Sequence, residues 1–201
     1  MGQIKKDIAD KIKTAGSKSK AIKGATDWYS TALKTFLDKS VAKDGGRFVP
    51  GKIYVFRYDN PVTEGLQWWD KNPVVLALDP YNNNDVGINL NLLPQKLKET
   101  LLDDVHIRLN GQIKTNETRA AENAKAQGQL RLSYEGAKRY LDKYGFGFAI
   151  RQYIPGIKKK QAVVSYENWA NIVLCDFADL QGITKEQLES LYKKYYKSKN
   201  I

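Results

Sequence analysis

The sequence predicts an α+β fold, and two observations on its 201 residues support this class. No proline occurs before Pro50, and apolar residues in that first part recur at helical spacing. From residue 48 to 94 the pattern changes to short β-rich segments bounded by proline, glycine and asparagine turns. Three short strands with tight turns and aromatic corners are typical of a small SH3-like antiparallel β-barrel, here with flanking helices and a helical N-terminal arm.

The N-terminal arm is predicted to be a short amphipathic helix over residues 3–13. Ile4, Ile8 and Ile12 follow one another at i, i+4 and i+8. Gly16 and the Ser-Lys stretch 17–20 indicate a flexible hinge before a second helix over 25–39. A stripe of three isoleucines is too short to stabilise an isolated helix. We therefore expect these isoleucines to anchor the arm in a groove on a partner, with the arm outside the core.

The strands are predicted from alternation and turn chemistry. In the first strand, Ile53, Val55 and Arg57 share one face, while Tyr54, Phe56 and Tyr58 share the other. A buried strand follows over 73–79 and a third over 86–94. Helices are predicted over 94–105 and 116–143, where Asn116 and Ser133 are candidate N-caps and Ser133 could begin a separate helix. The apolar segment 146–154 could be a strand or a buried turn, 161–169 is a strand that could close the barrel, and 168–174 could be strand or helix.

Four regions result from these elements. Residues 1–24 form a basic N-terminal arm and 25–47 a helix. Residues 48–175 form the β-barrel core with inserted helices at about 94–145, and 176–201 form a basic C-terminal helix. The sequence Thr184-Lys185-Glu186-Gln187 is a capping box that starts this last helix.

Positive charge is concentrated at the two ends of the chain. The chain carries 33 Lys+Arg against 22 Asp+Glu, a net charge of +11. Solvated lysine-rich ends and a surface for a polyanion, nucleic acid above all, both fit this distribution. Lysine suits contact with phosphate and does not read base sequence. The candidate contacts to nucleic acid or a partner are Lys5, Lys6, Lys11, Lys13, Lys18, Lys20, Lys158, Lys159, Lys160, Lys193 and Lys194.

The sequence offers few groups for catalysis. With one cysteine, Cys175, and one histidine, His106, neither an internal disulfide nor a two-histidine metal site can form. Phosphate-loop, zinc-protease and nucleophile-elbow motifs are absent. The carboxylate pairs Asp103–Asp104 and Asp176/Asp179 could bind Mg²⁺, although helix-surface and capping roles are commoner. We expect a protein that is not an enzyme and has no cofactor or metal.

Two adjacent tryptophans, Trp68 and Trp69, are candidate partner anchors. Neighbouring side chains in a strand point in opposite directions, so one of the two could face outward. Packing of both on the barrel, contact with a protein partner and stacking on single-stranded bases all remain open.

Several local patterns resemble a group of tailed-bacteriophage virion proteins. The matching stretches are Pro50 to Tyr58 (PGKIYVFRY), Trp68 to Val75 (WWDKNPVV) and Val86 to Pro94 (VGINLNLLP), with looser likeness at 149–154 and 163–169. The order is kept over about residues 48–170, which leaves the basic arm outside. Asn91 stands where the group's "NLHYLP" pattern has histidine, so a role of that histidine does not carry over.

The resemblance implies a structural component of the virion near packaged DNA or the portal, neck or tail. Members of the group are named DNA end-protector, structural or neck proteins. The implied partners are other virion subunits in a multi-copy assembly, with double-stranded DNA as a further candidate and without a membrane. The implied location is the virion, and the host cytoplasm during assembly. A DNA end-binding protector protein is the first alternative, and a metal-dependent nuclease using the acidic pairs is a more remote one.

Overall fold

The computed structural model describes residues 2–38, 46–58, 69–115, 133–176, 180–181 and 184–198. Within these residues the chain forms helices α1 (Gln3–Ala15), α2 (Lys18–Phe36), α3 (Gln95–Thr115), α4 (Tyr134–Asp142), α5 (Trp169–Leu174) and α6 (Lys185–Ser198). The strands are β1 (Ile53–Tyr58), β2 (Trp69–Asp70), β3 (Val74–Ala77), β4 (Asp85–Asn89), β5 (Ile150–Tyr153), β6 (Lys158–Val164) and β7 (Leu180–Gln181). This mixture confirms the α+β class.

Five strands form one antiparallel sheet in the order β5-β4-β3-β1-β6, and β2 pairs with β7. The predicted SH3-like barrel is not confirmed, because the sheet is open: no ladder of the described residues joins β5 to β6. The 3₁₀ turn Pro155–Ile157 connects these two outer strands. Tyr58 of β1 and Tyr153 of β5 pack edge to face with ring centroids 5.3 Å apart, and the Tyr58 hydroxyl accepts a hydrogen bond of 3.4 Å from the Ile154 amide. Side-chain contacts therefore link the end of β5 to β1 on one face of the open sheet.

The two faces of the sheet carry two separate cores. Ile53 and Val55 join the larger cluster, which includes the buried residues of the helices. Phe56 and Tyr58 belong to the second cluster, where Phe48 stacks on Tyr54 at 4.7 Å. The alternation in the sequence therefore predicted both faces of β1 correctly, because successive strand residues point to opposite sides of a sheet.

Strand β4 approaches β3 closely at a glycine. Gly87 pairs with Ala77, and a Cβ placed there would overlap Val75 Cγ1 and lie 2.8 Å from the Leu76 carbonyl oxygen. Only a residue without a side chain fits this gap. The strand ends at Asn89 rather than running to 94, because Leu90–Leu92 turn into a 3₁₀ helix that leads into α3.

Helix α1 is part of the core, contrary to the expectation of an arm outside it. Ile4 is 0% exposed and Ile8 is 6% exposed, both within the larger cluster. The Asp103 carboxylate on α3 accepts a hydrogen bond of 2.9 Å from the Ile4 amide and so caps the first turn of α1. The isoleucine stripe is stabilised by α3 and α5 of the same chain, and no second molecule is needed to bury it.

The segment expected to be a hinge is a tight turn between two helices. Gly16 ends α1 in the left-handed conformation, with φ of 76°. The Ser17 hydroxyl accepts from the Lys20 amide and caps α2, which begins at Lys18 instead of residue 25.

The other helices agree with the expectations at their starts. Helix α3 begins at Gln95 but continues to Thr115, ten residues beyond the predicted end, while Ser133 caps α4 as predicted and α6 begins at Lys185 within the predicted capping box. The ambiguous segment 168–174 is helical from Trp169. Asn116 and the helix predicted between 116 and 132 lie outside the described residues. None of the helices in the described part of the chain has the length and apolar content to cross a membrane.

Candidate nucleic-acid interface

The exposed lysines of α1 and α2 are the first component of a candidate interface. The burial of Ile4 and Ile8 turns the opposite side of α1 outward, and this side carries Lys6 and Lys13, both exposed. Lys18 and Lys20 are exposed on the first turn of α2. Lys5 and Lys11 are half-buried, and Lys5 Nζ lies 3.8 Å from the Asp103 carboxylate. Four of the six predicted N-terminal lysines are therefore accessible to the phosphates of a ligand.

Helix α6 lies beside α2. Ile22 of α2 and Leu188 and Tyr192 of α6 line one cavity. The buried Tyr195 holds α6 on the core through edge contacts with Tyr144 and Phe146. This packing leaves the opposite side of α6 exposed. We define the basic helical face as the predicted contact lysines that are exposed on these three helices: Lys6, Lys13, Lys18, Lys20, Lys193 and Lys194.

Lys158 does not belong to this surface, which corrects the prediction that it contacts nucleic acid. It is 1% exposed. Its ammonium pairs with the Asp85 carboxylate, donates to the Gly46 carbonyl oxygen at 2.6 Å and lies 3.9 Å from the centre of the Phe48 ring. Burial lowers the pKa of Lys158, and the Asp85 carboxylate opposes this shift. The side chain is half of a buried ion pair within the aromatic cluster.

Lys159 and Lys160, which follow Lys158 in the sequence, lie at a bulge in β6. The register between β1 and β6 shifts between Val55 and Arg57, and Lys160 adopts φ of 53° there. Lys159 is exposed and Lys160 is half-buried. The three consecutive lysines therefore do not form one continuous patch, because the bulge and the strand alternation separate their side chains.

The predicted partner anchors do not form an exposed surface in the part of the chain that the structure describes. Ile4 and Ile8 are core residues, and Ile12 is half-buried and packs against the same cluster. The apolar stripe of α1 is therefore already covered by this chain. Trp68 lies outside the described residues, and Trp69 belongs to β2, although its side chain is also outside the described set.

A cavity of about 200 Å³ lies where residues of α2, α3 and α6 meet. Lys98 lines it, and its Nζ donates to the carbonyl oxygens of Ile172 at 3.4 Å and Cys175 at 3.1 Å. Burial lowers the pKa of Lys98 to about 8, against the opposing effects of Cys175 and Asp176. Burial likewise raises the pKa of the Cys175 thiol to about 11. Lys98 thus satisfies the carbonyls at the end of α5, and Cys175 is an inert buried thiol.

The aspartates proposed to bind Mg²⁺ do not form a metal site among the described residues. Asp103 is buried and caps α1, while Asp104 is exposed. Asp176 is exposed and its amide donates to the Thr26 hydroxyl, and Asp179 lies outside the described residues. In the described ranges, no group of three or more His, Cys, Asp and Glu side chains could hold a metal ion. The nuclease hypothesis therefore loses Asp103, which is engaged elsewhere.

Asn91, at the position where the resemblance has histidine, is buried and lines the cavity described above. Its side-chain amide donates to the Asp70 carboxylate, which also accepts from the Asn72 amide at 2.9 Å. These bonds attach β2 to the 3₁₀ turn before α3. The residue therefore has a role in holding the fold together.

An aromatic pair at the tip of the β3–β4 hairpin is not among the predicted site residues. Tyr81 stacks on Tyr134 with ring centroids 4.8 Å apart and planes at 21°. Asn82 and Asn83 have φ of 48° and 61°, and Tyr81 and Asn84 exchange backbone hydrogen bonds, which is a type I′ turn. The run Asn82-Asn83-Asn84 did indicate the turn. Contact with Tyr134 joins segments more than fifty residues apart and left no local signal.

One comparison with known proteins identifies a family. The family model described as "Phage T4 terminal DNA protecting protein" matches residues 1–197. The match includes the basic N-terminal helices, which the local motifs had left outside the resemblance. No curated protein and no solved structure gives a match.

Proposed function

Because the chain belongs to the family of the phage T4 terminal DNA protecting protein, we propose that it binds the ends of double-stranded DNA and shields them from exonucleases. The match over residues 1–197 is the observation that carries this proposal. The family description names protection of DNA and no catalysis. An exonuclease needs access to a terminus, so a protein that occupies the terminus is sufficient to protect the DNA.

The basic helical face is the surface we assign to the DNA backbone. Its lysines lie on helices α1, α2 and α6, which are held in place by buried residues such as Ile4, Ala25 and Tyr195. Lysine ammonium groups on a rigid face can contact successive phosphates without reading bases. The surface thus suits a protein that must act on any DNA end.

The test is protection of a linear duplex from a double-strand exonuclease, together with binding measured over a range of salt concentrations. Replacing Lys6, Lys13, Lys18 and Lys20 together with glutamine should weaken binding equally for all sequences. It should reduce the slope of log K against log salt by up to about 4, close to one for each phosphate that the variant no longer neutralises. Protection should decline in parallel.

A control variant removes the same charge elsewhere. Lys52, Lys71, Lys143 and Lys159 are all exposed and lie outside the basic helical face. Their replacement with glutamine should leave most of the salt slope intact. Equal losses of affinity in the two variants would show that net charge, rather than this face, carries the binding. Absence of both binding and protection in the wild-type protein would refute the proposed function itself.

We propose further that the protein is carried in the virion, close to the packaged DNA or the portal and neck. In support of this, an end-protector is useful to a phage only if it reaches the terminus before host nucleases do. Mass spectrometry and cryo-electron microscopy of purified particles test the proposal. Detection of the chain beside the DNA end supports it, whereas particles that lack the chain refute it.

A further inference from the structure

A protein that protects termini must distinguish a DNA end from the duplex interior. Lysine contacts alone cannot do this, because phosphates repeat along the whole duplex. What differs at an end is the exposed flat face of the terminal base pair, which in the interior is covered by the next pair. An aromatic ring at the protein surface can stack on such a face.

The hairpin tip supplies a ring of this kind. Four large apolar side chains of the described residues are exposed: Val49, Tyr81, Ile154 and Val163. Tyr81, at 37% exposure, is the member of this set with a flat ring. Stacking against Tyr134 covers one face of the ring and fixes its plane. The type I′ turn after Tyr81 holds the backbone, since it fixes both central residues at positive φ.

Cations lie beside this ring. The Arg47 guanidinium donates to the Asn83 carbonyl oxygen at 2.6 Å and lies 3.6 Å from the Asp85 carboxylate, and its side chain stays about half exposed (53%). Lys138, one turn after Tyr134 on α4, is exposed and pairs with Asp142. An aromatic ring with neighbouring cations complements a terminal base pair and its phosphates better than an apolar protein surface.

We propose that the stacked pair Tyr81–Tyr134 is the platform on which the terminal base pair of a DNA duplex rests, an inference that rests on the proposed function. Tyr81 makes the contact, and Tyr134 supports it from behind. Arg47 lies where it can reach the phosphates of the last nucleotides. The basic helical face supplies sequence-blind affinity, and the platform supplies the preference for ends.

The experiment compares binding of the full-length protein to a short blunt duplex and to the same duplex with both ends closed by hairpin loops. Tyr81→Ala should reduce the preference for the open duplex by roughly 5- to 150-fold, the effect of removing one base–aromatic stack. Tyr81→Phe should retain most of the preference, because the ring remains. Val163→Ala, at a similarly exposed apolar side chain, is the matched control and should have no effect.

A second measurement locates the stacking contact. A 2-aminopurine at the terminal position should be quenched by wild-type protein and by Tyr81→Phe, but not by Tyr81→Ala. Wild-type protein that prefers open ends while Tyr81→Ala prefers them equally would overturn the platform and leave the proposed function standing. Wild-type protein without any preference or protection would instead overturn the proposed function.

Discussion

Replacing Ile4 with alanine tests whether α1 belongs to the folded core. The side chain is 0% exposed, so the change removes three buried carbon atoms. At about 0.8 kcal/mol for each buried methylene, the transfer term alone is about 2.4 kcal/mol. The cavity left behind raises the expected loss of unfolding free energy above this value, to as much as about 5 kcal/mol. For a chain of this size, each kcal/mol lowers Tm by about 2–4 °C.

The assay is thermal and denaturant unfolding of the purified full-length chain, followed by circular dichroism. We expect Tm to fall by at least about 4 °C and the denaturant midpoint to fall with it at an unchanged m value. Lys6→Ala, at an exposed position on the same helix, is the control and should change stability by less than about 0.5 kcal/mol. An Ile4→Ala protein as stable as the wild type would show that α1 does not pack on the core. That result would restore the interpretation of α1 as a docking arm.

Three further predictions follow from single contacts. Asp103→Ala removes the cap of α1 and should lower the unfolding free energy by about 1–2 kcal/mol in urea titrations; an unchanged midpoint would argue against the cap. Gly87→Ala forces a Cβ into Val75 and the neighbouring carbonyl, so its expression as soluble, wild-type-stable protein would contradict the β3–β4 packing. The pKa of Lys98 is lowered to about 8 from 10.5, so the unfolded chain binds more protons between these values and stability should rise with pH there. Relative to Lys98→Met, the free energy of unfolding of the wild type should increase by up to about 3 kcal/mol between pH 8 and 10.5. If the free energies of unfolding of the two proteins change in parallel with pH, the lowered pKa of Lys98 is refuted.

Local patterns predicted strands β1, β3 and β4 because their signals are contained within a few residues. The alternation in β1 indicated which side chains share a face, and the two core clusters confirm it. The capping box at Thr184 and the Ser133 cap marked real helix starts. The predicted barrel is not confirmed, because closure depends on how far a sheet curls and strand patterns do not record this curvature.

The candidate interface was predicted only in part for a similar reason. Exposure of Lys6 and Lys13 follows from the helical period once Ile4 and Ile8 are buried. The burial of Lys158 could not be read from a run of three lysines. It depends on Asp85, which is 73 residues away in the chain, and on an aromatic face that only the folded sheet assembles.

The sequence by itself determined the class of fold, the periods of α1 and β1, and the surplus of positive charge at both ends. Those properties depend on neighbours within a turn or two of the chain. The tertiary structure decided that Asp103 caps a helix whose first turn lies 99 residues earlier, and that Tyr81 stacks on Tyr134. Contacts between residues so far apart in the chain depend on how whole helices and strands pack together. The local sequence around either residue does not indicate which partner it will meet.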